Sequence, residues 1–143
     1  MSENLDPGYT GEGMYRENII DHYKNPHNKG SIEDADAQFT ENNATCGDVI
    51  TVQLKVKDGI VKDIKFQGRG CAISQAAMSM LTGEIKGKSL EKAKSVKRGD
   101  IVGMLGIEIG PVRTKCATLG MVAVKNAIKE FELKKVSVKE GVK

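Results

Sequence analysis

Residues 50–66 read ITVQLKVKDGIVKDIKF. Ile50, Val52, Leu54 and Val56 alternate with Thr51, Gln53 and Lys55. Successive strand side chains point to opposite faces, so this run predicts a strand with one apolar face. Asp58-Gly59 supplies two residues that tolerate positive φ, as a tight hairpin turn requires. Ile60, Lys62, Ile64 and Phe66 then carry the chain back as a second strand. Ala37 to Glu41 adds a third, outer strand. A hairpin with one buried face needs a cover, and the flanking segments provide helices for it. Ile19, Ile20 and Tyr23 recur at helical spacing from Tyr15 until Asn25-Pro26, where the residue before proline avoids helical angles. After Gly68 and Gly70, a helix starting around Cys71 places Ile73, Ala76, Ala77, Met80 and Leu81 on one face. Ser89 caps a helix with Leu90, Ala93 and Val96 inward, and Asp100 caps a shorter one carrying Ile101, Met104 and Leu105. Gly110-Pro111 precedes a last helix from about Cys116 to Phe131, with Met121, Val124, Ile128 and Phe131 in step. The expectation is an α+β domain, a small antiparallel three-stranded sheet packed against helices on one face.

The 143 residues suit one domain able to bury a core without disulfide support. Residues 1–13, with Pro7, Gly8, Gly11 and Gly13, read as a flexible arm. Residues 14–134 form the domain, and 135–143 a polar tail. No internal repeat is evident. The absence of a long apolar run and of a charged-then-apolar leader, with three widely spaced cysteines, points to thiols in a reducing cytoplasm and no membrane span. A net charge of +3 from 22 basic and 19 acidic side chains, with no Trp, argues against nucleic-acid binding.

Each cysteine sits where the backbone turns. Cys46 precedes Gly47-Asp48, Cys71 follows Gly68-Arg69-Gly70, and Cys116 follows Gly110-Pro111. Cys71 and Cys116 are expected to open helices, where free N–H groups and the dipole hold a thiol below the roughly 8.5 of a free cysteine. Asp48 can lie on the same side of an extended chain as Cys46. Three sulfurs and one carboxylate oxygen suit a tetrahedral ion such as zinc, or one edge of an iron–sulfur cluster. The competing reading is that free cysteine often serves as a small core hydrophobe. The separations of 25 and 45 residues match no short paired-cysteine zinc pattern, so spacing alone leaves both readings open. The glycines at 68 and 70 are not a phosphate loop, since no Lys-Ser or Lys-Thr follows, and are read as clearance for a bound group. His22 and His27 are not expected to bind metal.

Four ordered motifs add specificity: Tyr15 to Gly30 (YRENIIDHYKNPHNKG), Thr45 to Asp48 (TCGD), Gly68 to Ser74 (GRGCAIS) and Pro111 to Leu119 (PVRTKCATL). In order and spacing they resemble the IscU/NifU-type iron–sulfur cluster assembly scaffold family, over nearly all of Met14 to Phe131. The resemblance implies a non-enzymatic scaffold, with no catalytic residue, that builds a 2Fe-2S cluster on Cys46, Cys71 and Cys116. Asp48 is implied as the labile fourth ligand. It implies a cysteine desulfurase as sulfur donor, apo iron–sulfur proteins or carriers as recipients, and allows a homodimer around the cluster. Two departures stand out. Many scaffolds have His before the last cysteine, where this chain has Lys115, which either steadies a thiolate, pairs with Asp48 or faces solvent. The run Lys115-Cys116-Ala117-Thr118-Leu119 looks more like the SufU branch, whose members bind Zn2+ and carry sulfur, yet the 86–110 segment is too short for that branch's usual insertion. The chaperone-recognition run is altered to Ile109-Gly110-Pro111-Val112-Arg113.

Overall fold

In the computed structural model of the chain, the described residues are 11–43 and 47–141, with side chains described for 16–43 and 47–134. The order is α1 (Gly11–Lys24), β1 (Ala37–Asn43), β2 (Asp48–Lys57), β3 (Ile60–Arg69), α2 (Ala72–Ile85), α3 (Leu90–Lys94), α4 (Arg98–Leu105) and α5 (Pro111–Gly141). The strands form one antiparallel sheet in the order β1-β2-β3, the expected α+β architecture. Asp58 and Gly59 both have positive φ, 53° and 74°, which is the backbone twist that closes a two-residue hairpin.

The hairpin departs from simple alternation at one point. Lys55 pairs with Asp63 but Val56 pairs with Val61, so Lys62 is an extra residue in β3. This bulge flips the face: Val61 is buried while Ile60 is only half-buried. The expected inward set of Ile60, Lys62, Ile64 and Phe66 is therefore corrected to Val61, Ile64 and Phe66. With Ile50, Val52 and Leu54, all fully buried, these side chains meet the helices.

α5 packs on β1 and β2, α2 on β3 and α5, and α1 on the outer side of α2. Because α2 lies between two layers, it is buried nearly all round, including Ser74, Gln75, Met78 and Ser79, rather than on the single face its apolar spacing suggests. Gly120 lets α5 approach α2, since a Cβ there would meet the Met78 thioether. The free edge of β3 is covered by backbone at both ends. Gly30 N–H donates to Phe66 O at 2.8 Å and Val61 N–H to Lys88 O at 2.8 Å, which removes an edge that could template aggregation.

Several element ends shift from expectation. α1 starts at Gly11, within the expected arm, and α5 continues to Gly141, past Phe131. Residues 1–10 of the arm and 142–143 of the tail lie outside the described residues. Ser89 caps α3 as expected, accepting from Lys92 N–H at 3.1 Å. Asp100 is not the cap of α4 but its third residue, accepting from the Lys97 N–H at 2.8 Å. No helix among the described residues is long and apolar enough to cross a membrane.

α1 is tied to α2 through Ser79. Its Oγ accepts from His27 N–H at 2.7 Å and lies 2.7 Å from His22 Nδ1, and the two imidazoles lie 4.5 Å apart, tilted by 48°. Burial holds the His22 pKa below the ordinary histidine range, and the nearby His27 adds to this while Asp21 opposes it. The fold thus favours neutral His22. Its contribution is complete above the unfolded value of about 6.5 and is lost as pH falls through the lower folded value. Thermal unfolding of wild type and His22→Gln should show a wild-type advantage at pH 7.5 that shrinks on acidification to pH 5. A constant difference across that range would show that the ring does not titrate against folding.

Candidate metal centre

β2 and β3 end side by side, with Val49 opposite Arg69, so the start of one and the exit of the other reach the same edge of the sheet. Asp48 is the first residue of β2 and Cys71 is the N-cap of α2, with φ −74° and ψ 171°. Between them the crossing is tight. Gly68 has φ 144°, and a Cβ there would lie 2.0 Å from Val49 O; at Gly70 a Cβ would lie 2.8 Å from Asp48 Oδ1 and 2.4 Å from Ser74 Oγ. The two glycines therefore give clearance to the β2 backbone and to the Asp48 carboxylate, a more local role than room for a bound group.

Asp48 is only 2% exposed. Its Oδ1 accepts from Cys71 N–H at 3.3 Å, and Oδ2 is 4.0 Å from Cys71 Sγ. Cys116 comes in from α5 and is 2% exposed. One ligand atom from each of Asp48, Cys71 and Cys116 lies within 4.8 Å of the others. A tetrahedral zinc or iron with metal–sulfur bonds near 2.3 Å and metal–oxygen near 2.0 Å sets its ligand atoms about 3.5–3.8 Å apart. The three groups need to close by about an ångström or less. Ser74, also buried, donates to Cys71 O at 3.0 Å and fixes the first turn beneath the thiol.

The donor chemistry fits a metal. A buried carboxylate is costly without a cation, yet among the described residues no lysine, arginine or histidine forms a salt bridge with Asp48. Lys115 does not serve: it is exposed and forms no ion pair among the described residues. The sequence expectation that Cys116 opens a helix is corrected, because α5 starts at Pro111 and Cys116 stands in its second turn. Its thiol gains nothing from unbonded N–H groups at a helix start. Cys71 does stand at a helix start, as the N-cap of α2. Cys46 lies outside the described residues, so Asp48, Cys71 and Cys116 are the brought-together part of the expected set. His22 and His27 stand on Ser79, two turns further along α2, and are not part of the group.

Sequence reading passed over Ser74 and Gln75. Both fall outside the apolar set expected for α2, yet they are 1% and 5% exposed. Their signal was position: they stand one helical turn after Cys71, three and four residues on.

The model of the NifU-like N terminal domain matches residues 14–138, and the chain belongs to that family. Zinc-dependent sulfurtransferase SufU of Bacillus subtilis (strain 168) is 40% identical, covering 83% of this chain and 92% of the relative. Iron-sulfur cluster assembly scaffold protein IscU of Haemophilus influenzae is also 40% identical, covering 84% and 97%. A crystal structure of a nitrogen-fixing NifU-like protein (N-terminal) from Brucella abortus superposes with a TM-score of 0.69 at 25% identity, covering 84% and 95%. The alignment with the Bacillus subtilis relative has 136 positions, whereas 83% of 143 residues is 119, so 17 positions of that relative face gaps. For the Haemophilus influenzae relative, with 124 positions against 120 residues, the excess is 4.

Gly70→Ala tests the clearance directly. The added methyl displaces the Asp48 carboxylate and Ser74 while leaving the hydrophobic core untouched. Zinc affinity measured by chelator competition should fall at least tenfold with an unchanged circular dichroism spectrum. Wild-type affinity in this variant would mean that Asp48 is not a ligand.

Proposed function

We propose that the chain is a scaffold for de novo assembly of 2Fe-2S clusters, with Cys46, Asp48, Cys71 and Cys116 holding the iron and sulfide cargo. A cysteine desulfurase supplies the sulfur, and the completed cluster passes to apo iron–sulfur proteins or carriers. The observation that carries this reading is the buried Asp48 carboxylate beside the Cys71 and Cys116 thiols, without a cationic side chain paired to it among the described residues.

Each group has a separate task. Cys71 is held at the N-cap of α2, with its thiol beside the Asp48 carboxylate. The Cys71 N–H holds Asp48 toward the site, and a hard oxygen among soft sulfurs leaves one weaker corner from which cargo can leave. Cys116 is delivered by α5, anchored to the sheet through Val124, Ala127 and Ile128, so the thiol is held without depending on a loop. Two chains sharing one cluster is an arrangement compatible with this edge-located site.

A zinc-dependent sulfur carrier is the second reading, favoured by the Bacillus subtilis relative and by the residues around Cys116. In that case Zn2+ held by the same four groups organises the thiolates, and one cysteine accepts sulfur. The gap pattern weighs toward the scaffold, because this chain aligns with the IscU relative across only 4 excess positions and with the SufU relative across 17.

Cys46→Ala, Cys71→Ala and Cys116→Ala should each abolish stable cluster binding while leaving the fold. Burying a side chain such as Ile50, Val52, Leu54, Ile64 or Phe66 contributes about 1.5–3 kcal/mol each, far more than a thiol-to-methyl change removes. Asp48→Ala should still assemble cluster anaerobically but lose it several-fold more slowly in a chelator challenge. Full cluster occupancy in any cysteine variant contradicts the ligand set, and an Asp48→Ala protein that assembles none contradicts the account of lability.

A further inference from the structure

Two side-chain oxygens stand beside the Cys71 thiol, each 4.0 Å from Sγ: Asp48 Oδ2 and Ser74 Oγ. An ionised carboxylate only accepts hydrogen bonds, whereas a hydroxyl both donates and accepts. Of the two, Ser74 is the one that can donate to a thiolate. It is 1% exposed, so bulk water does not compete for the hydroxyl. It also belongs to the wall of the site, because a Cβ on Gly70 would meet both Ser74 Oγ and the Asp48 carboxylate.

The hydroxyl donates to Cys71 O at 3.0 Å. As a helix-capping bond this is surplus, since the same carbonyl accepts from the Gln75 N–H at 3.1 Å. Cys71 O therefore stays paired when the hydroxyl turns away. Rotation about the Cβ–Oγ bond carries the hydrogen from Cys71 O toward Cys71 Sγ while the oxygen stays where it is.

We propose that Ser74 is a positioning residue of the metal centre, whose hydroxyl turns from Cys71 O to Cys71 Sγ when that sulfur serves as a thiolate ligand. With a neutral thiol, S–H donates to Oγ and O–H donates to the carbonyl. A thiolate has no hydrogen to give, and the Ser74 O–H becomes the donor. Hydrogen bonds from outside the ligand set orient the ligands and tune their charge, so Ser74 steadies the Cys71 corner while the Asp48 oxygen remains the weak one. The inference rests on the reading of Cys71 as a metal ligand and applies to zinc and to a cluster alike.

The test adds cobalt(II) anaerobically to the metal-free full chain, because cobalt takes tetrahedral zinc-type sites and its thiolate bonds give sulfur-to-cobalt absorption bands. A hydrogen bond lowers the energy of a thiolate lone pair. Ser74→Ala should therefore move the band to longer wavelength, and Ser74→Thr, which keeps the hydroxyl, should return it to the wild-type position. Cobalt affinity by chelator competition should fall about tenfold in Ser74→Ala and recover in Ser74→Thr. Ser79→Ala removes another fully buried hydroxyl of α2 and should leave the band in place, which separates a bond to the sulfur from a loosened helix. Should the extra methyl of Thr unfold the protein, the Ser74→Ala and Ser79→Ala bands decide alone. An unshifted band in Ser74→Ala, folded by circular dichroism, overturns the role of Ser74 whatever its affinity and leaves the metal centre standing. Absence of any sulfur-to-cobalt band in wild type overturns both.

Discussion

The Asp48 carboxylate is the hinge of the structure around the metal centre. By accepting the Cys71 N–H it ties the first residue of β2 to the first turn of α2, and it does so while 2% exposed. A charge in that position is costly unless a cation answers it, and in the proposed function a metal held by the neighbouring thiols would do so. The constraint propagates outward. Residue 70 must be glycine to leave room for the carboxylate, and residue 68 must be glycine because β3 there presses on the β2 backbone with φ at 144°. The GRGC stretch is thus a steric requirement of Asp48 and of the β2–β3 pairing as much as a mark of ligand binding.

The chemistry of a scaffold differs from that of a permanent metal site in needing both capture and release. Rigid elements give capture: Cys71 on the cap of α2 and Cys116 inside α5, both helices packed against the sheet and each other. In the proposed function release falls to the Asp48 oxygen, the one hard donor among soft ones. Zinc would accept the same donor set, and so the family's two chemistries meet on one geometry. The gaps in its alignments with the two relatives, more than its ligands, separate the readings.

Much of this was legible in the sequence, and for physical reasons. The β2–β3 hairpin was readable because Asp58-Gly59 has a specific backbone demand and the alternation before it is strict. Asp48 and Cys71 were readable as neighbours because each flanks a turn at a strand or helix start. The bulge at Lys62 was not, since Ile60 and Val61 are both apolar and nothing local says which faces the core. Nor was the burial of Ser74, Gln75 and Met78, which depends on α2 being packed by α1, α5 and β3 at once. The position of Cys116 inside α5 had a signal that was underused: Pro111 suits the first position of a helix, so the helix starts five residues before the cysteine. Cys46 is known here from sequence motif alone.

The most direct test of the account is the visible absorption and metal content of the full chain after anaerobic loading with ferrous iron, cysteine and a cysteine desulfurase. A scaffold acquires sulfur-to-iron charge-transfer bands, with iron and sulfide in equal amounts and no requirement for zinc. A colourless protein that retains zinc, takes up no iron and only accelerates turnover of the desulfurase would contradict the scaffold and establish the sulfur carrier in its place.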